Sequence, residues 1–196
     1  MKKNEIPVAQ NNDFDGLVAH IQQTQDVLQN NARLVINRHV TAKAWLTGYY
    51  IVEYEQKGAD RAKYGEQLLK KLAEKLKDKK TFSYRTLRLY RQFYIVYNRL
   101  GLPIKKYLCG NLSIGQSVIA KLKSSQNEGL IIWQSVIAKS SDVVGNEVWV
   151  DPQELFDKLS FTHLAAILPI SDPLERAFYE TMAIRGTWSV RELQRQ

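Results

Sequence analysis

Four side chains within one short stretch could do chemistry: Arg85, Arg88, Arg91 and Gln92. A guanidinium fork offers paired donors to a phosphate or a guanine edge, and a glutamine amide pairs with adenine. Arg85, Arg88, Gln92 and Arg99 follow one another at offsets of 3, 4 and 7, so a helix would set them along one face with Arg91 beside it. Leu87, Leu89, Tyr90, Phe93, Tyr94, Val96 and Tyr97 supply the opposite, packing face. A helix that reads a nucleic-acid groove needs this division.

Other candidate chemistry is weaker. Glu55-Gln56-Lys57 spells half of a nuclease motif, but it lies at a helix end before Gly58 with no Pro-Asp partner at suitable spacing. His20, His39 and His163 stand far apart without a further ligand nearby, which argues against zinc and for surface or capping roles. Cys109 is a single cysteine, so no internal disulfide forms, and a packed thiol explains it better than a nucleophile. Gly115-Gln116-Ser117 lacks the second glycine of a nucleophile elbow, and no glycine-rich phosphate loop occurs. No catalytic residue, metal or cofactor is expected.

The arginine helix must be held by its neighbours. Ser83 is a good N-cap for a helix from Tyr84 to about Asn98. Before it, a helix from about Gly65 to Lys79 carries Leu68, Leu69, Leu72, Ala73 and Leu76 on one stripe. Two helices around a break of about four residues make a helix-turn-helix outline. Upstream, Asp13 caps a helix through Phe14, Leu17, Val18, Ile21 and Leu28, and a second runs from about Ala32 to Gln56. Gly101-Leu102-Pro103 ends the arginine helix, and 101–110 reads as a linker. Ser113 and Gln116 form a capping box for a short helix to about Lys123. Residues 124–150 stay open: Leu130 to Ala138 fits a helix or one strand of a small β-hairpin around 130–150. Beyond, Asp151-Pro152 and Asp172-Pro173 are helix starts, and Ser189 with Glu192 is a capping box. The chain ends just inside that last helix, which predicts a border with a following domain.

Composition points the same way. The chain of 196 residues has a net charge of +8 and no long apolar run, so it reads as cytoplasmic with no membrane partner. Between Arg61 and Arg91 stand eleven Lys or Arg against three acids, an excess that equals the charge of the whole protein. One basic segment suits a polyanion.

Several motifs together resemble the N-terminal domain of the bacterial YhcG family. They are Trp45, Tyr49-Tyr50-Ile51-Val52-Glu53, Tyr64-Gly65, Phe82-Ser83-Tyr84-Arg85-Thr86-Leu87 and Leu89-Tyr90-Arg91-Gln92-Phe93-Tyr94. Downstream come Leu159-Ser160-Phe161-Thr162-His163, the stretch from Ser171 to Glu180, and Arg185-Gly186-Thr187-Trp188-Ser189-Val190-Arg191-Glu192-Leu193, the most distinctive. The resemblance covers most of the chain from about residue 30, apart from 105–157. It implies a helical, winged-helix-like domain ahead of a nuclease domain of the PD-(D/E)xK type, whose catalytic residues lie in that following domain.

The resulting expectation is a mainly α protein: a helix-turn-helix or winged-helix-like bundle in two subdomains. Residues 1–12 form a flexible N-terminus, 13–100 a subdomain with the helix-turn-helix, and 111–196 a second subdomain leading into a C-terminal nuclease domain. The expected function is non-catalytic binding of duplex DNA for that nuclease. Lys70, Lys71, Lys77, Lys79 and Lys80 would neutralise phosphates, and Ser83, Arg85, Arg88, Arg91 and Gln92 would line or enter the groove. The alternative is a protein-interaction or oligomerisation module, with a homo-oligomer as its partner.

Overall fold

The computed structural model describes residues 14–57, 67–76, 81–111 and 150–196. Every regular element among them is helical. Helix α1 (Phe14–Lys57) is unbroken for 44 residues, where two helices with a break near residue 30 were expected. The reason is local: neither glycine nor proline stands between Leu17 and Thr47. Asparagine inside a helix costs at most about 0.7 kcal/mol relative to alanine, too little to stop one. From Thr41 onward α1 is built into the core, through Trp45, Tyr49, Ile51 and Val52.

Helix α2 (Leu68–Lys75) is followed by extended backbone at Leu76 (φ −74°, ψ 128°). Its apolar stripe of Leu68, Leu69, Leu72 and Ala73 is half-buried. Helix α3 (Tyr84–Val96) begins where its cap demands: the Ser83 hydroxyl accepts the Thr86 N–H at 3.2 Å. Helix α2 therefore ends at Lys75, short of the expected end near Lys79, because Leu76 leaves the helical conformation. The expected helix start at Gly65 and the lysines at 77, 79 and 80 lie outside the described residues.

The most extensive helix pairing among the described residues joins α1 to α3. At their crossing Gly48 has no side chain to keep them apart. A Cβ there would sit 2.1 Å from the Tyr90 carbonyl oxygen and 2.7 Å from Tyr94 Cβ. Beside the crossing the rings of Trp45, Tyr49 and Tyr94 pack against one another in a mutual triad. Its indole N–H donates to the Tyr97 carbonyl at 2.9 Å, satisfying its one polar atom within the core.

A 3₁₀ turn (Asn98–Leu100) leads straight into helix α4 (Gly101–Asn111). Residues 101–110 are thus helix, not linker. Pro103 falls in the first turn, where its missing N–H has no helical partner to lose. Ile104 and Leu108, four residues apart, are fully buried and anchor the helix. The same turn corrects the placement of Arg99. It swings inward, and its Nη2 donates to Glu180 at 2.6 Å.

Among the described residues four further helices follow: α5 (Pro152–Lys158), α6 (Phe161–Ile167), α7 (Pro173–Arg185) and α8 (Val190–Leu193). Their starts match their sequences. Asp151 accepts from the Gln153 N–H and Asp172 from the Leu174 N–H, each before a proline. Ser189 and Glu192 form the reciprocal box, and the backbone N–H of Ser189, more than any other contact, lowers the pKa of the Glu192 carboxyl. His163 is a capping residue, closing a similar box with Ser160. Its Nδ1 accepts the Ser160 N–H, which leaves Nε2 to donate to the Trp188 carbonyl at 3.0 Å.

Leu155, Phe156, Leu164 and Leu193 join Trp45, Phe93, Tyr97 and Ile104 in one hydrophobic cluster. Segments on both sides of the expected linker therefore share a core. The candidate hairpin at 130–150, except Val150, lies outside the described residues, as do the short helix after Ser113 and residues 1–12.

Charge is buried at one point of this core. Glu180 is fully buried, and the Arg99 side chain is 17% exposed. Burial, and after it the Glu180 carboxylate, push the Tyr97 hydroxyl well above the ordinary phenol range, so it stays neutral.

Two predictions follow from the packing. Gly48→Ala should destabilise the protein by about 3 kcal/mol, since backbone, not a movable side chain, meets the new methyl. Gly110→Ala, which meets nothing within 4 Å among the described residues, should instead be neutral or stabilising by roughly 0.5–1 kcal/mol. Urea unfolding of both variants measures the contrast. Likewise, Glu180→Ala should cost roughly 3 kcal/mol by removing the buried counter-charge of Arg99, and adding Arg99→Met should recover much of that loss. A double-mutant cycle reads the coupling directly.

Candidate nucleic-acid interface

Capping and burial together orient α3. Leu87, Tyr90 and Phe93 point into the core, so Arg85, Arg88 and Gln92 are left exposed on the opposite side. The helix carries three arginines and no acid. Neither Arg85 nor Arg88 has an ion-pair partner among the described residues. Ser83, at the head of this face, is occupied as the cap and as a hydroxyl partner of Thr86 at 2.8 Å.

Arg91 is placed differently. Its Nε donates to both carboxylate oxygens of Glu55, at 2.9 and 2.8 Å, tying α3 to the end of α1. The pair is partly exposed, so it adds about 1 kcal/mol or less. Glu55 therefore works as a strut, and Lys57 of the same Glu-Gln-Lys triplet pairs with Glu53 at 3.7 Å. Among the described residues no three His, Cys, Asp or Glu side chains gather as a metal site would require.

Lys70 is exposed on α2; half-buried Lys71 follows it directly, and exposed Lys75 lies one turn beyond Lys71. Lys71 and Lys75 edge an apolar cleft between α1 and α2, walled by Tyr50, Ile51, Leu72 and Phe82. The cleft brings in a residue that sequence spacing misses. Lys43 of α1 is exposed, and its ammonium lies 6.0 Å from the centre of the Phe82 ring, next to the cap of α3. Forty residues separate Lys43 from Ser83, and only the helix crossing brings them together.

Tyr90 and Tyr94 on the same helix pack against the core. Burial first, then the Glu53 charge and Tyr49, push the Tyr94 hydroxyl up to about 12. Burial also raises Tyr90. Both stay neutral at physiological pH. Trp45 is likewise a core residue.

Comparison with known proteins locates this arrangement. The family model of the DUF1016 N-terminal domain matches residues 19–131. A protein of Escherichia coli (strain K12) described as "Putative nuclease YhcG" is 33% identical over 194 residues, covering 93% of this chain. The chain spans 46% of that relative's length. No solved structure matches. No helix among the described residues is long and apolar enough to cross a membrane. A long helix crossed tightly by a capped, arginine-bearing helix thus forms the core of a chain that belongs to the YhcG family and carries its DUF1016 N-terminal domain.

Proposed function

We propose that this chain binds duplex DNA and serves, without catalysing cleavage, as the N-terminal part of a cytoplasmic nuclease. The observation that carries the reading is the outer face of α3. It sets Arg85, Arg88 and Gln92 in a row with no acid on the helix, while its inner face is locked into the core. Lys70 and Lys71 on α2 and Lys43 on α1 add cations around it. Lys77, Lys79 and Lys80 in the connector extend the same basic segment in sequence. In this reading Arg91 is a positioning residue, because its guanidinium holds α3 against Glu55. Ser83 keeps its place in the interface through its backbone and its cap. The Escherichia coli relative described as "Putative nuclease YhcG" is roughly twice this length, which supports a nuclease part that the module would serve.

The mechanism is electrostatic capture followed by local contact. Lysines neutralise phosphates and release counterions, and the arginine forks then orient the duplex against α3. Each neutralised phosphate steepens the salt dependence, so about five contacts imply a loss of roughly 10²- to 10³-fold in affinity between 50 and 200 mM salt. Fluorescence anisotropy with a labelled duplex should show this slope. Arg85→Glu with Arg88→Glu should abolish most binding, yet leave the fold intact within about 0.5 kcal/mol per exposed site. Undiminished binding by the folded double variant removes α3 as the contact. If the wild type shows no salt-sensitive binding, the interaction-module alternative takes over.

The non-catalytic half of the reading has its own check. Plasmid incubated with the purified chain and magnesium or manganese should stay supercoiled. Metal-dependent nicking that is lost in Lys57→Ala would place catalysis within this chain after all.

A further inference from the structure

The first half of α1 presents an apolar face that the rest of the described chain does not cover. Phe14 is 76% exposed, Ile21 58% and Leu28 63%, and Leu17, Val18, Val35 and Ile36 are exposed as well. The last ties between this helix and the body are Arg38 with Asp157 at 2.8 Å and His39 with the Tyr107 hydroxyl at 2.8 Å. Burial in α1 begins only at Thr41. A helix gains most of its stability from burying one face, so an uncovered stretch of this length calls for a partner.

The spacing and charge say which partner. Phe14, Ile21, Leu28 and Val35 recur every seven residues. Seven-residue spacing, 3.5 residues per turn, is the period of helices that wind around one another. Leu17, Val18, Ala32 and Ile36 flank that line, and Gln25 is its polar interruption. The charges are segregated: Asp15 and Asp26 are the only charged side chains from 14 to 28, and Arg33 and Arg38 the only ones from 29 to 40, histidines aside. Two copies laid antiparallel set the acidic half of each against the basic half of the other and oppose their helix dipoles. Parallel pairing would set like beside like and bring together two bodies whose chains carry +8 each. At 1.5 Å per residue the face is about 40 Å long, and a strip about 10 Å wide gives roughly 400 Å² per copy in projection. Two copies, with the relief of their side chains added, approach the roughly 1,200 Å² at which specific interfaces begin.

We infer that residues 14–40 of α1 form an antiparallel two-helix coiled coil with a second copy of this chain, centred near Leu28. This inference does not depend on the DNA reading, and no nucleic acid enters its test. An interface of this size predicts dissociation in the micromolar range.

Analytical ultracentrifugation of the whole chain from low to high micromolar concentration should show a shift from the 22.6 kDa protomer to twice that mass. Ile21→Glu with Leu28→Glu should abolish the shift while the unfolding midpoint of the body, by circular dichroism, stays unchanged. Orientation is read by crosslinking in a Cys109→Ser background, since Cys109 is exposed. With a short bis-maleimide, Leu28→Cys should crosslink several-fold better than Phe14→Cys. A chain that remains monomeric throughout would overturn the proposal. Hydrogen exchange showing 14–40 protected in that monomer would mean that the chain's own residues cover the face. A dimer that survives the double glutamate variant would refute this surface, and equal crosslinking at residues 14 and 28 would refute the antiparallel arrangement.

Discussion

The close approach of α1 and α3 at Gly48 is the constraint on which the rest of the described structure depends. A glycine at the crossing lets the backbone of one helix touch the Tyr90 carbonyl of the other. That contact fixes how deeply Trp45, Tyr49 and Tyr94 interlock, and it brings the Trp45 indole within reach of the Tyr97 carbonyl. Interiors packed at crystal density transmit such a constraint, because no side chain can shift without displacing another. The 3₁₀ turn and α4 then leave α3 on a fixed heading, and Phe93, Leu100 and Ile104 meet the C-terminal helices in one cluster.

The face offered to a polyanion follows from that packing. α3 buries Leu87, Tyr90 and Phe93, and a helix with one face sealed must turn the other outward. Ion pairs then sort the arginines. Arg91 lies at the margin of the outer face, where Glu55 of α1 can reach it. Arg99 lies beyond the end of α3 and is drawn to a carboxylate that has no solvent of its own. Arg85 and Arg88, which have neither opportunity among the described residues, keep their guanidinium groups exposed. A buried cation must find a counter-charge, whereas an exposed one can wait for a ligand. The division between structural and available arginines is therefore a matter of position, not of residue type.

The two halves of α1 obey different rules. Beyond Thr41 the helix is held by a core assembled from residues far along the chain. Before it, the helix carries a regular apolar line with the spacing of a helix partner. An uninterrupted backbone joins the two, so any load on the projecting half would reach the crossing with α3 through one rigid element. This mechanical link joins the apolar face to the arginine face, and the ties of Arg38 to Asp157 and of His39 to Tyr107 brace the projecting half against the body.

What the sequence determined by itself is whatever acts over three or four residues. Ser83, Asp151, Asp172 and the Ser189–Glu192 pair each mark a helix start that the structure reproduces, because a cap bonds to an N–H only two or three positions away. The mainly helical class and the inward side of α3 were legible for the same reason, through periodicity along a single helix. The tertiary structure decided everything that depends on a distant partner. Gly101 and Pro103 read as an end, yet buried Ile104 and Leu108 continue the chain as helix. Nothing near Arg91 or Arg99 names Glu55 or Glu180, which lie 36 and 81 residues away, and nothing near Ser83 names Lys43. Local hydrogen bonds are written in neighbouring residues, whereas the pairing of charges across a core is chosen only when the helices cross.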